Sequence, residues 1–269
     1  MAKSNAVTPG KILVAVSFAA MVTVNALANI LPINGIGTGA VSDSYPNLFA
    51  PAGITFAIWG LIYLLLLGYT IYQFGIFPNW SGKDSGALHQ KIGFLFTLSS
   101  IANTIWIFAW HYSYIGVSML LMIVILICLI EIVQVISGED LSLMDKLLIR
   151  LPFSVYFGWI TVAAIANATT LLVDTGWDGF GIAESVWTVL IIAVGLLIAV
   201  VTMLKNRDIA YGLVIIWAYA GILIKHFSEA GFAGKYMEII VTVIISIALL
   251  VIACGYVLFS KSSKRITSK

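Results

Sequence analysis

The chain has 269 residues, of which 61% are hydrophobic and 10% are charged, and its mean hydropathy is +1.06. Because a soluble domain carries about 25% charged residues, this composition excludes a soluble domain, a disordered chain, a coiled coil, a disulfide scaffold and a nucleic-acid-binding protein. The two cysteines, Cys128 and Cys254, lie inside apolar runs and are not spaced as metal ligands. The composition predicts an integral membrane protein surrounded by a lipid bilayer.

Eight apolar runs are long enough to cross a bilayer, since a transmembrane helix needs about 20 such residues. No strand-like alternation competes with these runs, and lipid tolerates only helices or closed barrels. We therefore predict an all-α integral membrane protein with eight transmembrane helices. In chain order, the runs cover residues 12–33, 53–74, 90–112, 114–137, 147–173, 185–204, 208–226 and 236–260.

The lysines and arginines are concentrated in alternate connections between these runs. Only Lys225 and Lys235 depart from this pattern. Because positive residues stay on the cytoplasmic side, we predict cytoplasmic termini, an external loop at 34–52 and a plasma or other inner-type membrane. The residues on the predicted cytoplasmic side are Lys3, Lys11, Lys83, Lys91, Lys146, Arg150, Lys205, Arg207, Lys261, Lys264, Arg265 and Lys269.

The first run also fits a second interpretation. Two lysines, an apolar stretch and the small-residue sequence Ala26-Leu27-Ala28 are typical of a cleaved signal peptide. Cleavage would leave seven spans in the same orientation.

Aromatic and amide side chains recur at helical spacing on four of the predicted helices. At 1.5 Å rise per residue, Trp59, Trp106 and Asn167 lie about 9 Å from the external end of their spans. Apolar walls with a few polar groups are typical of a ligand site, so a shared depth predicts a pocket in the outer half of the membrane. The alternatives are interfacial anchoring and helix-to-helix hydrogen bonding. The residues that share faces are Asn25 and Asn29; Trp59 and Tyr63; Asn103, Trp106 and Trp110; and Tyr156, Trp159, Ala163 and Asn167.

Three of these segments resemble the TspO/MBR family, the translocator proteins or tryptophan-rich sensory proteins. The second helix, which reads Pro51-Ala-Gly-Ile-Thr-Phe56-Ala-Ile-Trp59-Gly-Leu-Ile-Tyr63, is similar to the family's proline–aromatic stretch that ends in Trp-x-x-x-Tyr. The third helix resembles its Asn-x-x-Trp-x-x-x-aromatic segment, with Asn103, Trp106 and Trp110. The fifth helix has Trp159 and, eight positions later, Asn167. The similarity covers about residues 8–173.

The resemblance implies a five-helix bundle with a pocket beneath the first loop. It implies a flat hydrophobic ligand such as haem or protoporphyrin, with sterols and benzodiazepine-type drugs bound by some members. No cofactor or metal is required. Carried over by motif, the ligand-binding residues are Trp59, Tyr63, Asn103, Trp106, Trp110, Trp159, Ala163 and Asn167, with Asn25, Asn29, His111 and Trp217 as additional candidates.

The chain also departs from the family pattern. Pro152 precedes Trp159 by seven residues instead of four, and Phe56 precedes Trp59 by three instead of four. The Tyr and Arg associated with sterol binding are missing after Asn167, so sterol recognition is not carried over. We predict a TspO-like bundle at 1–175 and, at 176–269, three additional helices with a basic cytoplasmic tail.

Isolated polar residues elsewhere have simpler interpretations. Glu131, about 9 Å from the cytoplasmic end of the fourth helix, is predicted to pair with Arg150, with a proton- or ion-coupled role as the alternative. Asp145 is predicted to lie in a solvated loop. His111 is the only candidate for an axial iron ligand near the predicted pocket. Small-residue faces such as Ala163 with Ala164 would serve internal packing or a homodimer.

These observations favour a membrane receptor, sensor or transporter that binds a flat hydrophobic ligand, with a porphyrin as the expected ligand. The alternatives are a secondary transporter of another small solute that uses all eight helices, and a structural membrane protein. We predict that the protein is not an enzyme, because no Ser/His/Asp set, HExxH motif, carboxylate pair or Gly-rich phosphate loop is present. An enzymatic activity in porphyrin degradation would be implied only by the resemblance to the TspO/MBR family.

Overall fold

The structure, a computed structural model, describes residues 8–75 and 86–266, with side chains for all of them except 86–87 and 261–266. Within these ranges there are no strands, and eight helices are long and apolar enough to cross a membrane. The predicted fold class is confirmed: the chain is a multi-pass, all-α integral membrane protein in contact with lipid. The helices are α1 Pro9–Ile30, α2 Ile58–Tyr72, α3 Gly86–His111, α4 Ile115–Ser137, α5 Leu151–Asp174, α6 Glu184–Asn206, α7 Ile209–Phe227 and α8 Met237–Ile266.

Short irregular segments precede two of these helices. The span of α2 begins with a 3-10 turn, Gly53–Ala57, two residues after Pro51. The span of α5 begins with Leu143–Asp145 and a π-helical turn, Lys146–Arg150. The eight predicted runs match the spans to within a few residues, because mean hydropathy locates a span better than its ends. Of the predicted cytoplasmic cations, Lys3, Lys83 and Lys269 lie outside the described residues, and Lys261, Lys264 and Arg265 lie outside the described side chains.

The chain divides into two compact units. The first unit comprises Met1–Val41 and Ile58–Ile160, and the second comprises Ser42–Ala57 and Thr161–Lys269. Helix α5 therefore contributes its first part to one unit and its second part to the other. The sequence-based division after residue 175 stays a prediction.

The interior of the first unit contains a triad of aromatic rings. Tyr69 of α2 packs edge-on against Phe96 of α3 and Phe153 of α5, with ring centroids 5.5 and 4.8 Å apart. Phe96 and Phe153 are 5.5 Å apart, also edge-on. Edge-to-face pairs at these distances stabilise a core beyond their buried area, so this triad joins α2, α3 and α5.

Asp145 is buried, and the prediction of a solvated loop residue is wrong. Its carboxylate accepts hydrogen bonds from the Tyr72 hydroxyl at 2.7 Å and from the Ser142 hydroxyl at 2.7 Å. The Ser142 hydroxyl accepts from the Asp145 amide at 3.2 Å and the Asp145 carboxylate accepts from the Ser142 amide at 3.1 Å, and these two bonds form a capping box. Sequence analysis missed this role because one of the two hydroxyl donors comes from another helix.

Glu131 of α4 forms its ion pair with Lys91 of α3 at 3.7 Å, not with Arg150 as predicted. The two side chains are about half exposed. Consecutive helices joined by a short turn are antiparallel neighbours, so the end of α4 returns to the level at which α3 begins. Glu131 therefore has a nearby cationic partner, but this partner lies on α3 and not immediately before α5.

In the second unit, two successive turns of α7 form hydrogen bonds with the segment 42–57. The Trp217 indole donates to the Thr55 carbonyl oxygen at 3.0 Å, and the Ala52 amide donates to the Gly221 carbonyl oxygen at 3.0 Å. Gly221 is required here, because a Cβ at this position would overlap Thr55, with 2.7 Å to its Cγ2 atom. The backbones of α7 and of this segment therefore lie close together at Gly221.

Three further interactions hold the beginning of the same segment. The ring of His226 is fully buried, and its Nε2 atom donates to the Leu48 carbonyl oxygen at 2.9 Å. Lys225 pairs with Asp43 at 2.7 Å. The Leu48 amide donates to the Glu184 carboxylate at the start of α6 at 2.9 Å. Helices α6 and α7 thus order the segment immediately before α2.

Candidate ligand site

A chain of hydrogen bonds joins three helices of the first unit. Asn25 of α1 donates to the Asn103 side-chain oxygen at 2.8 Å and to the carbonyl oxygen of Met21 at 2.9 Å. Asn103 of α3 donates in turn to the Tyr156 hydroxyl oxygen of α5 at 3.4 Å. Asn25, Asn103 and Tyr156 are buried. Because each carboxamide uses its donor on a specific partner, the three side chains hold one another in fixed orientations.

Trp59 of α2 joins this chain through its ring contacts. Its indole is stacked on Tyr63 at 5.4 Å and contacts Tyr156 edge-on at 5.9 Å. The same indole contacts Trp159 edge-on at 6.2 Å. We call these six side chains the aromatic–amide cluster: Asn25, Trp59, Tyr63, Asn103, Tyr156 and Trp159.

Exposure distinguishes the members of the cluster. Trp59 and Tyr63 are partly exposed, whereas Trp159 is 2% exposed and Tyr156 fully buried. The Tyr63 hydroxyl oxygen is itself buried and has no hydrogen-bond partner among the described residues. The stacked pair of Trp59 and Tyr63 is therefore the part of the cluster that another molecule can contact directly.

A second tryptophan pair lies on α3. Trp106 and Trp110 are stacked at 5.4 Å, and both are buried. The Trp110 indole donates to the Thr38 carbonyl oxygen at 3.2 Å, which attaches the loop after α1 to the end of α3. The predicted i, i+4 pair is thus formed, with one of its rings engaged by this loop.

His111 extends the same attachment. Its Nδ1 atom donates to the Ile33 carbonyl oxygen at 3.0 Å, and its Nε2 atom bonds the Thr38 hydroxyl at 3.0 Å. Asn34 donates to the His111 carbonyl oxygen at 2.9 Å. Both ring nitrogens are engaged, so axial ligation of iron by His111 would require loss of a buried hydrogen bond.

A family model described as TSPO-like protein matches residues 11–256. The chain belongs to this family. Family membership suggests a membrane sensor or transporter, and the family is generally not enzymatic. No curated protein and no solved structure matches the chain.

The match includes more of this TSPO-like protein than the resemblance identified from motifs. It extends through α6 and α7 and most of α8, whereas the motifs covered residues 8–173. The family match of this TSPO-like chain therefore includes α6, α7 and α8 up to residue 256.

Four further predicted ligand residues are not members of the aromatic–amide cluster. Asn29 is exposed, and its side chain donates to the Asn25 carbonyl oxygen of its own helix at 3.0 Å. Ala163 and Asn167 belong to the second unit, where Ala163 is partly exposed and Asn167 is buried. Trp217 also belongs to the second unit and is 41% exposed, with its indole donating to the 42–57 segment. Its observed contact is a hydrogen bond within its own unit, to the Thr55 carbonyl oxygen.

Tyr156 is the member of the cluster that sequence analysis did not include among the ligand residues. It lies three residues before Trp159 on the same helix face, and this spacing was its only signal. Its contacts with Asn103 and Trp59 involve two other helices, and helical spacing on α5 carries no information about them.

Proposed function

We propose that this TSPO-like protein is a membrane receptor, sensor or transporter that binds a flat hydrophobic ligand at the aromatic–amide cluster. The proposed ligand is a tetrapyrrole, such as protoporphyrin or haem. The observation that carries the proposal is that α1, α2, α3 and α5 bring their amide and aromatic side chains into one connected cluster within a single unit.

The chemistry of these side chains suits such a ligand. Indole and phenol rings offer faces and edges to a flat aromatic molecule, and a few fixed polar groups select its orientation. We propose that binding depends on ring stacking and not on an axial iron ligand, because both nitrogens of His111 are engaged. Metal-free porphyrins are then expected to bind as well as haem.

The proposal includes the topology inferred from charge. We place the cluster in the outer half of an inner-type membrane, with both termini in the cytoplasm. In this orientation, the partly exposed rings of Trp59 and Tyr63 receive a ligand from the external side or from the outer leaflet.

Titration of the purified protein with protoporphyrin IX tests this function. The measurement is a saturable shift of the porphyrin absorbance band, which does not depend on which tryptophan is replaced. We expect Trp59→Phe and Trp159→Phe to weaken binding by about 3- to 10-fold, since an aromatic pair contributes about 0.5–1.5 kcal/mol.

A matched control is Trp187→Phe. Trp187 contacts Trp177 at 5.1 Å, donates to the Gly179 carbonyl oxygen at 2.9 Å and belongs to the second unit, so it is not a member of the cluster. Absence of saturable binding, or equal weakening by the control, would remove the proposed function. Trp106→Phe and Asn167→Ala extend the test to predicted residues outside the cluster.

A further inference from the structure

His226 is a buried histidine that uses one of its two ring nitrogens. Its side chain is fully buried, and its Nε2 atom donates to the Leu48 carbonyl oxygen at 2.9 Å. The Nδ1 atom is buried too, and it has no hydrogen-bond partner among the described residues. A second proton, on Nδ1, would therefore be a buried donor without an acceptor among these residues, and it would place a positive charge in the interior.

Aromatic rings and charges at the surface surround this ring. Its centroid lies 4.7 Å from that of Phe232 and 6.0 Å from that of Tyr236. Lys225 opposes a positive charge on the ring, whereas the exposed Glu238 favours one. Lys225 is itself paired with Asp43 at 2.7 Å. Solvent and salt weaken the effect of exposed charges, so burial favours the neutral ring. The other charged residues on the adjoining elements, all exposed, are Glu184, Glu229 and Lys235.

The bond from His226 is one of several that attach the segment 42–57 to α6 and α7. Leu48 is held on both sides, since its carbonyl oxygen accepts from His226 and its amide donates to Glu184. Further bonds with α7 involve Ala52 and Thr55. Histidine is the side chain that ordinarily changes its charge between pH 5 and 8. Of the three histidines in the chain, His226 alone belongs to the second unit.

His111 provides an internal comparison. It is also buried, but both of its ring nitrogens have partners: Nδ1 bonds the Ile33 carbonyl oxygen and Nε2 bonds the Thr38 hydroxyl, each at 3.0 Å. A hydroxyl oxygen can accept a hydrogen bond, so a second proton on His111 would keep an acceptor. The two buried histidines therefore differ in whether a proton can be added without breaking the native contacts.

We propose that His226 forms a pH-sensitive attachment of the segment 42–57 to α7. At neutral pH, the uncharged ring holds the segment through the Leu48 carbonyl oxygen. In acid, the ring gains a proton when it leaves its buried position, so acid favours the state in which this bond is broken and the segment is released. The segment begins in the loop for which charge predicts an external position, so the attachment responds to pH outside the cytoplasm. This proposal does not depend on the ligand of the aromatic–amide cluster.

Proton linkage gives the size of the effect. A solvent-exposed histidine has a pKa of about 6.5, so the attached state keeps its full stability above this pH and loses about tenfold for each pH unit below it. Between pH 8 and pH 5, the population of the released state relative to the attached state should rise by about 30-fold. Carboxylates in model peptides titrate at about 3.9–4.3 and lysines at about 10.4, so this interval isolates histidine.

Hydrogen exchange of the purified full-length protein measures this release. The reporters are the Leu48 amide, which bonds Glu184, and the Ala52 amide, which bonds the Gly221 carbonyl oxygen. Protection factors remove the pH dependence of the chemical exchange step itself. We expect both amides to lose about 30-fold of protection between pH 8 and pH 5, whereas amides in the middle of α8 keep theirs.

Histidine variants assign the effect. His226→Gln retains an amide donor for the Leu48 carbonyl oxygen but cannot gain a proton, so its protection factors at Leu48 and Ala52 should be equal at the two pH values. The double variant His89→Gln with His111→Gln leaves His226 as the only histidine of the chain, and it should show the full wild-type loss. This second variant decides the question even if glutamine holds the segment poorly.

Two results would overturn the proposal. The first is protection at Leu48 and Ala52 that does not change between pH 8 and pH 5 in the wild type. The second is a loss that persists in His226→Gln or disappears in the double variant, because another group would then be responsible.

Discussion

Replacing Gly221 with alanine should separate α7 from the segment that precedes α2. A Cβ at this position would lie 2.7 Å from Thr55 Cγ2 and 2.9 Å from Thr55 Cβ, and it would also overlap the Thr55 hydroxyl. Real Cβ atoms essentially never come closer than 3.0 Å to such neighbours. Because Thr55 is fully buried, its side chain cannot swing into solvent to make room.

The expected cost follows from these contacts. Overpacking a well-packed interior costs about 1–3 kcal/mol. The same shift lengthens the hydrogen bond from the Ala52 amide to the Gly221 carbonyl oxygen, now 3.0 Å. For a chain of this size, a loss of about 2 kcal/mol lowers Tm by roughly 4–8 °C.

Thermal unfolding in detergent measures the effect, and hydrogen exchange at the Ala52 amide reports it locally. Gly255→Ala is the matched control, because a Cβ there meets nothing within 4 Å and Gly255 also lies inside a helix of the second unit. In a helix interior, alanine is more favourable than glycine by about 0.8–1.0 kcal/mol, so the control should melt at the same temperature or higher.

The double variant Gly221→Ala with Thr55→Ala should recover part of the lost stability, because it removes the hydroxyl and the methyl group that clash. If Gly221→Ala has the same Tm as Gly255→Ala and leaves hydrogen exchange at the Ala52 amide unchanged, the close approach of α7 to this segment is refuted.

Two further predictions concern buried polar groups. His226→Leu should lower the free energy of unfolding by about 1–3 kcal/mol, because it leaves the buried Leu48 carbonyl oxygen without its donor. His226→Gln retains a donor and should lower it less. Equal losses of stability in thermal unfolding would contradict this role of His226. Asp145→Asn should lower stability by about 1–3 kcal/mol, because an amide nitrogen would face a hydroxyl donor such as that of Tyr72; the exposed Asp140→Asn is the control, and equal melting temperatures would argue against the buried network.

Local patterns determined the spans and the contacts within single helices. Hydropathy over about 20 residues depends only on the residues in the window, so all eight spans were predictable. Spacing of i, i+4 predicted that Trp59 and Tyr63 share a face, as do Trp106 and Trp110, and both pairs are stacked. The motifs also sufficed to recognise the family.

Tertiary structure decided which helices supply the partners. Asn25 bonds Asn103 across 78 residues of sequence, and Glu131 pairs with Lys91 instead of Arg150. The sequence predicts that Asp145 lies in a solvated loop, whereas in the structure its carboxylate accepts a hydrogen bond from Tyr72 of another helix. A helical period specifies the direction of a side chain on its own helix, but the side chain that it meets depends on how the helices pack, and no single span encodes that arrangement.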